Sequence, residues 1–206
     1  MAKKKLVAIL QRHGDTLTNE ANKFRSRLDP PLNDKGQAQA EAAAKDIEKE
    51  DYGVTRIISS PLLRAVQTAD IIAEHINLPV EQDRGLISWN LGFLSGRDKE
   101  EYDDVLNLYV DNPKLVPPEG ESLDSLESRT YEFFKKELKG GLTIFVTHTS
   151  NIICVENLVH GNHDGRPESG ESSVDTGGTI GVYADDEGKY STEVLFGKET
   201  EATFGS

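Results

Sequence analysis

Arg12-His13-Gly14 comes one residue, Gln11, after the apolar run Leu6-Val7-Ala8-Ile9-Leu10. A cation, an imidazole and a flexible hinge therefore stand where a first strand would end. The carboxyl ends of strands in an open α/β sheet form the usual ligand crevice, and a glycine lets the backbone pass close to whatever the preceding side chain touches. These residue types fit a nucleophilic or phosphate-binding histidine. Taken alone, the tripeptide fits a buried structural histidine equally well. His148 repeats the arrangement, since it follows the apolar run over residues 142–147.

The chain alternates strand-like and helix-like segments, which predicts an α/β three-layer sandwich with a mostly parallel central sheet. Residues 4–10 read as the first strand. Asn33-Asp34-Lys35-Gly36 supplies caps for an alanine-rich helix to about Glu50. Residues 54–59 read as a second strand, after which Ser60-Pro61 predicts an N-cap and a first helical proline, with the helix ending near Asn77. Glycines and prolines punctuate residues 81–121 around one predicted helix over 98–111, so this stretch reads as an inserted lid or rim on a single domain spanning 1–206. Helices are predicted over 122–138 and 152–159. Strands over 179–184 and 192–196 flank Asp185-Asp186-Glu187-Gly188, whose turn chemistry suits a hairpin.

Composition narrows the class further. The 206 residues, 36% of them hydrophobic, fit one sizeable globular domain. No apolar run approaches the roughly 20 residues of a membrane span, so a soluble chain without a signal peptide is expected. The net charge of −13 opposes non-specific binding to nucleic acid and anionic membranes. A few arginines converging in a cleft can still attract a small anion. The single cysteine, Cys154, cannot form an intramolecular disulfide, and a reducing cytoplasm fits that usage. The acidic composition is compatible with a monomer or a homodimer.

Several separated motifs resemble those of the histidine phosphatase superfamily, branch 1, in the same order and over most of the chain. Arg12-His13-Gly14-Asp15-Thr16 with Asn19 resembles its nucleophile motif, and Asp29-Pro30-Pro31-Leu32 with Gly36 and Gln39-Ala40 its next signature. Ser59-Ser60-Pro61-Leu62-Leu63-Arg64-Ala65-Val66-Gln67-Thr68-Ala69 resembles the second-arginine motif. Gly120-Glu121-Ser122 with Arg129 is similar to the segment before the last core helix, and Val146-Thr147-His148 to the second histidine. The resemblance implies a phosphoglycerate mutase-like fold, no cofactor or metal, and a small phosphorylated substrate. It also implies catalytic roles for His13, Arg12, Arg64 and His148.

The chemistry explains those residue types. A phosphate monoester is a dianion that repels a nucleophile, and Arg12 and Arg64 can neutralise its oxygens through planar, forked hydrogen bonds. A neutral His13 imidazole can attack phosphorus and carry the phosphoryl group. His148, cationic beside bound phosphate, would donate to a phosphoryl oxygen. Asn19 and the backbone N–H of Thr149 are candidate further donors. Arg25 and Arg27 are candidates for a second anionic group on the substrate, with solvated loop cations as the alternative.

One departure stands out in Leu86-Ile87-Ser88-Trp89-Asn90-Leu91-Gly92, where many members of the family carry a glutamate two residues after the leucine. Ser88 occupies that position, and a hydroxyl is a poor general acid at neutral pH. Asp15, Asp83 and Glu121 are the candidate substitutes. The motif set therefore predicts a metal-independent phosphomonoester hydrolase working through a phosphohistidine. A phosphoglycerate mutase-type transferase and a catalytically weakened phosphate-binding module are the alternatives. His160, His163 and Asp164 lack compelling metal-ligand spacing, Cys154 reads as a core residue, Trp89 as pocket or core, and His75 as solvent-facing.

Overall fold

A computed structural model describes residues 4–138, 140–161, 171–172, 174–197 and 202–203. Its elements run β1 (Lys5–Arg12), α1 (Leu17–Glu20), α2 (Asp34–Glu50), β2 (Arg56–Ser59), α3 (Leu63–Ile76), β3 (Val80–Gln82), α4 (Lys99–Asp111), α5 (Leu123–Glu137), β4 (Thr143–Thr147), α6 (Thr149–His160), β5 (Glu171–Ser172), β6 (Thr179–Ala184), β7 (Tyr190–Phe196) and β8 (Ala202–Thr203). Six strands form one sheet in the order β3-β2-β4-β1-β6-β7. The pairs β3/β2, β2/β4 and β4/β1 are parallel, whereas β1/β6 and β6/β7 are antiparallel. The mostly parallel α/β sheet read from the sequence is thus present. β5 and β8 pair separately.

Strand alternation divides the core into two layers, because successive side chains point to opposite faces. Ile9, Ile57, Ile144 and Val146 pack beneath Ala44 and Ile47 of α2 and Ala65, Ala69 and Ile72 of α3. Ala8, Leu10, Ile58 and Phe145 face Phe133 and Phe134 of α5 and Ile152 and Val155 of α6. The ring centroids of Phe134 and Phe145 are 4.7 Å apart. α2 starts where its asparagine predicts, Asn33 Oδ1 accepting the Gly36 N–H at 2.7 Å. His75 of α3 lies within hydrogen-bond reach of Glu48 and Glu41 of α2, so this solvent-side histidine links two helices.

Residues 81–121 contain the rest of edge strand β3, two short 3₁₀ turns (Arg84–Leu86 and Gly92–Leu94) and α4. Their apolar residues Trp89, Leu91, Leu94, Leu106 and Tyr109 form a third cluster with Phe24, Leu123, Leu126, Ile153 and Cys154. The rim is therefore packed onto α5 and α6. Cys154 is a buried core residue, and burial pushes its thiol pKa well up. His163 and Asp164 lie outside the described residues, among which no group of His, Cys, Asp and Glu could hold a metal. No described helix is long and apolar enough to cross a membrane.

Two helix starts differ from the sequence reading. α3 begins at Leu63, and Asp29 Oδ1, not Ser60, accepts the Leu63 N–H at 2.6 Å. Ser60 instead places its hydroxyl 2.7 Å from His148 Nε2. α6 begins at Thr149, three residues before its apolar periodicity, since its polar first turn belongs to the site. In the loop after His13, a Cβ on Gly14 would run into the backbone of Gly36, and a Cβ on Gly36 into the backbone of Asp15. Gly36→Ala is expected to destabilise the protein by about 1–3 kcal/mol through overpacking. Urea unfolding checks this, and an unchanged midpoint would refute it.

Candidate active site

β1 and β4 run parallel with Arg12 opposite Thr147, so the next residue of each chain is a histidine. The His13 N–H donates to the Thr147 carbonyl at 3.1 Å, and the two imidazole centroids lie 5.2 Å apart. The loop after His13 is held by short contacts. The Gly14 N–H donates to Thr68 Oγ1 at 3.1 Å, and the Gly177 N–H donates to the His13 carbonyl at 3.0 Å.

His13 Nδ1 lies 2.7 Å from the Gly14 carbonyl oxygen, which can only accept. The proton of the neutral ring therefore sits on Nδ1, leaving the lone pair on Nε2. Arg64 Nε donates to that nitrogen at 3.2 Å, while its Nη1 and Nη2 donate to the carbonyls of Leu28 and Ser26 at 2.7 and 3.0 Å. Three contacts thus fix the guanidinium, and its terminal nitrogens are committed to carbonyls in this state. Burial, with help from Arg64, Arg25 and His148, holds the His13 pKa well below the ordinary histidine value. Burial and the arginines Arg64, Arg25, Arg129 and Arg12 do the same to His148. Both shifts favour the neutral ring.

The surrounding cations are also desolvated. Arg12 is buried and pushed down to about 10, opposed by Asp175 and Asp15, and its Nη1 donates to the Val174 carbonyl at 2.9 Å. Arg64 is likewise pushed down to about 10 by burial. Arg25 is only 3% exposed, and burial together with Arg12 and Arg64 lowers its pKa strongly. Arg12 Nε, Arg25 Nε, Arg25 Nη1 and His148 Nδ1 are buried with no hydrogen-bond partner among the described residues. Unmade buried donors cost about 1–3 kcal/mol each. Arg25 and His148 line a common cleft, a setting that suits an oxyanion, whereas Arg12, buried at the end of β1, is not among the residues that line it.

A cleft lined by His13, Arg25, Ser26, Arg64, Ser88, Trp89, Leu91, His148 and Ser150 opens here. Trp89 both lines the cleft and belongs to the rim core, its Nε1 donating to the Glu121 carbonyl at 2.8 Å. Ser26, Ser60 and Ser150 were not singled out by the sequence as site residues. Ser26 has a left-handed backbone (φ 50°), with its hydroxyl donating to the Trp89 carbonyl at 3.0 Å, and nothing in the sequence marks that conformation.

Other sequence-designated residues lie elsewhere. Arg27 Nη2 donates to Glu121 Oε1 at 2.9 Å, so the arginine pair at 25 and 27 is split between cleft and rim. Glu121 also accepts from Arg129 Nη2 and the Asn90 N–H, both at 2.9 Å, and these partners keep its pKa below the usual glutamate value against the effect of burial. A carboxylate so held is a poor acid. Asp83 accepts the Gly85 N–H at 2.7 Å as the cap of a 3₁₀ turn. Asp15 pairs with Lys35 Nζ at 2.7 Å, and Asn19 Oδ1 accepts from Thr16 N–H and Oγ1 at the start of α1. None of these four carboxyl and amide groups, nor Arg27, lines the cleft. Thr149 is buried in the first turn of α6, directly after His148.

The profile of the histidine phosphatase superfamily (branch 1) matches residues 8–179, which hold both histidines and the arginines around them. The chain belongs to this superfamily. A probable phosphoglycerate mutase of Yersinia pestis is 31% identical over 166 residues, covering 76% of this chain and 75% of the mutase. A 2,3-bisphosphoglycerate-dependent phosphoglycerate mutase of Nitrobacter winogradskyi is 29% identical, covering 70% and 76%. Among solved structures, a mycobacterial glucosyl-3-phosphoglycerate phosphatase complexed with VO3 superposes with TM-score 0.77 at 20% identity, covering 94% of this chain and 98% of its own. A phosphoglycerate mutase from Thermus thermophilus gives 0.67 at 24% identity, covering 94% and 99%. This member of the superfamily therefore shares its fold with proteins named for either reaction.

The depressed histidines have a measurable consequence. Below an ordinary histidine pKa near ~6.5 the unfolded chain binds protons that folded His13 and His148 refuse, so stability falls as pH falls. Lowering the pH from about 7 to about 5.5 is expected to destabilise the folded protein through both groups, on the order of 1 kcal/mol for each. Urea unfolding of wild type and of a His13→Gln/His148→Gln variant checks this, because carboxylate titration is common to both. Identical pH dependence in the two proteins would refute it.

Proposed function

We propose that the protein is a phosphomonoester hydrolase that carries the phosphoryl group on His13 and passes it to water. The observation that supports this most directly is the Gly14 carbonyl at Nδ1, which leaves the Nε2 lone pair available to attack phosphorus. Nε2 forms the N–P bond as the ester P–O bond breaks and its electron pair leaves with the oxygen. Water then attacks the phosphohistidine, and Nε2 recovers its pair. Charge on the transferring group is met by Arg12, Arg64 and His148. For Arg64 this requires exchange of its present carbonyl and imidazole partners for phosphoryl oxygens. His148, neutral beforehand, takes up a proton as the dianion arrives. Thr149 N–H, at the start of α6, is a further donor in this reading.

No carboxylate lines the cleft among the described residues, and Ser88 stands in it. Leaving groups that depart as stable anions are accordingly favoured. A mutase is the second reading, because curated relatives near 30% identity carry that name. It would return the phosphoryl group from His13 to another hydroxyl. The lone buried Cys154 and the acidic composition support a cytoplasmic protein acting on a small phosphorylated substrate, as a monomer or homodimer, with neither nucleic acid nor membrane as partner.

With EDTA present, the protein is expected to release phosphate from 4-nitrophenyl phosphate and to form an acid-labile adduct on His13, both lost in His13→Ala. Alkyl phosphates are expected to turn over at least about tenfold more slowly, and Ser88→Glu to raise their kcat selectively by about tenfold or more. Phosphate transfer to an added phosphoglycerate without net release would favour the mutase. Anion binding with no chemistry on any ester would leave a binding module.

A further inference from the structure

The sequence treats Arg25 and Arg27 alike, but the fold separates them. Arg27 is neutralised by Glu121 on the rim. Arg25 lines the cleft beside His13, Arg64 and His148, is 3% exposed, and holds Nε and Nη1 buried without a hydrogen-bond partner among the described residues. Its neighbours in charge are Arg12 and Arg64, with Asp15 as the opposing group, and Asp15 is itself paired with Lys35. A single phosphoryl group is already provided with Arg12, Arg64 and His148. A third buried, unsatisfied guanidinium is more positive charge than one dianion requires, and buried charge without a partner is strongly destabilising.

Two features therefore call for an explanation together: surplus cationic hydrogen-bonding capacity at Arg25, and a cleft that no carboxylate among the described residues lines, so that none of them stands ready to protonate a departing alkoxide. One chemical group answers both. The leaving side of a phosphoanhydride is itself a phosphate, which brings a second set of anionic oxygens and departs without protonation by a strong acid. We infer that the substrate class is a phosphoanhydride with a terminal phosphoryl group, and that Arg25 binds the penultimate phosphate while His13 attacks the terminal one. This rests on the phosphohistidine reading above and specifies its substrate.

The step balances without a redox partner. His13 Nε2 forms a bond to the terminal phosphorus, and the bond from that phosphorus to the bridging oxygen breaks. The bridging oxygen keeps the pair and leaves as part of the penultimate phosphate, held by Arg25. Water then adds through its oxygen to the phosphohistidine, and the N–P pair returns to Nε2. Of the water's two protons, one stays on the released phosphate and the other goes to solvent.

Inorganic pyrophosphate and 4-nitrophenyl phosphate test this as a pair, since their leaving groups are of similar basicity but differ in charge. With wild type and EDTA present, kcat/KM is expected to be at least about tenfold higher for pyrophosphate. Arg25→Gln is expected to lower kcat/KM for pyrophosphate at least about tenfold more than for the ester, and Arg25→Lys to recover part of that difference. Should either variant fold poorly, the wild type still decides: methylenediphosphonate is expected to inhibit at concentrations at least about tenfold below methylphosphonate. Equal inhibition by the two, equal losses on both substrates, or His13-dependent ester hydrolysis without pyrophosphate hydrolysis would each overturn the anhydride inference alone. Hydrolysis that survives His13→Ala, or the absence of hydrolysis of both compounds, would overturn the phosphohistidine reading with it.

Discussion

The parallel pairing of β1 with β4 is the constraint on which this molecule turns. Once Arg12 is set opposite Thr147, both strands end together and His13 and His148 emerge side by side. A shift of one residue would reverse which side chains face which helix layer, because the side-chain period of a strand is two. Ile9 would leave the α2 and α3 face and Leu10 would leave the α5 and α6 face. The hydrophobic pattern that secures the two core layers thus also sets the distance between two imidazoles. Packing and chemistry are fixed by the same register.

A second theme is the tension between burial and charge. Arg12, Arg25 and Arg64 are all nearly inaccessible, and desolvation dominates the pKa of each. Backbone carbonyls of Ser26, Leu28 and Val174 take up part of the load, and Asp15 and Asp175 oppose it at a distance. The remaining donors are not answered within the described protein. Sites that must bind a dianion out of water keep such groups although they lower stability, and the close-packed helices around them supply the compensation.

Much of this was legible in the sequence. The layer order, the hairpin and most helix positions follow from periodicity and caps, and the ordered motifs mark the two histidines and the arginines beside them. What could not be read is three-dimensional competition for the same groups. Ser60 has the credentials of an N-cap, yet Asp29 reaches the helix start from another loop and Ser60 turns to His148. Arg25 and Arg27 share type and local context, and only the position of Glu121 separates them. Ser26 acquires its place from a left-handed backbone that serine rarely signals. Edge strand β3, three residues long and paired with β2, carries too short a pattern to be seen.

The contact between Arg64 Nε and His13 Nε2 bears on how His13 is protected in this arrangement. An imidazole lone pair in an open cleft would be an inviting ligand for stray transition metals and a target for adventitious alkylating or acylating agents. Here that lone pair is occupied by a hydrogen bond from a guanidinium that is itself clasped by two carbonyls. Only a visitor able to draw Arg64 away, which in practice means an anion, uncovers the nitrogen. In the proposed reaction, the group that recognises the substrate would thereby also shield the attacking nitrogen, making reactivity conditional on the arrival of the right charge.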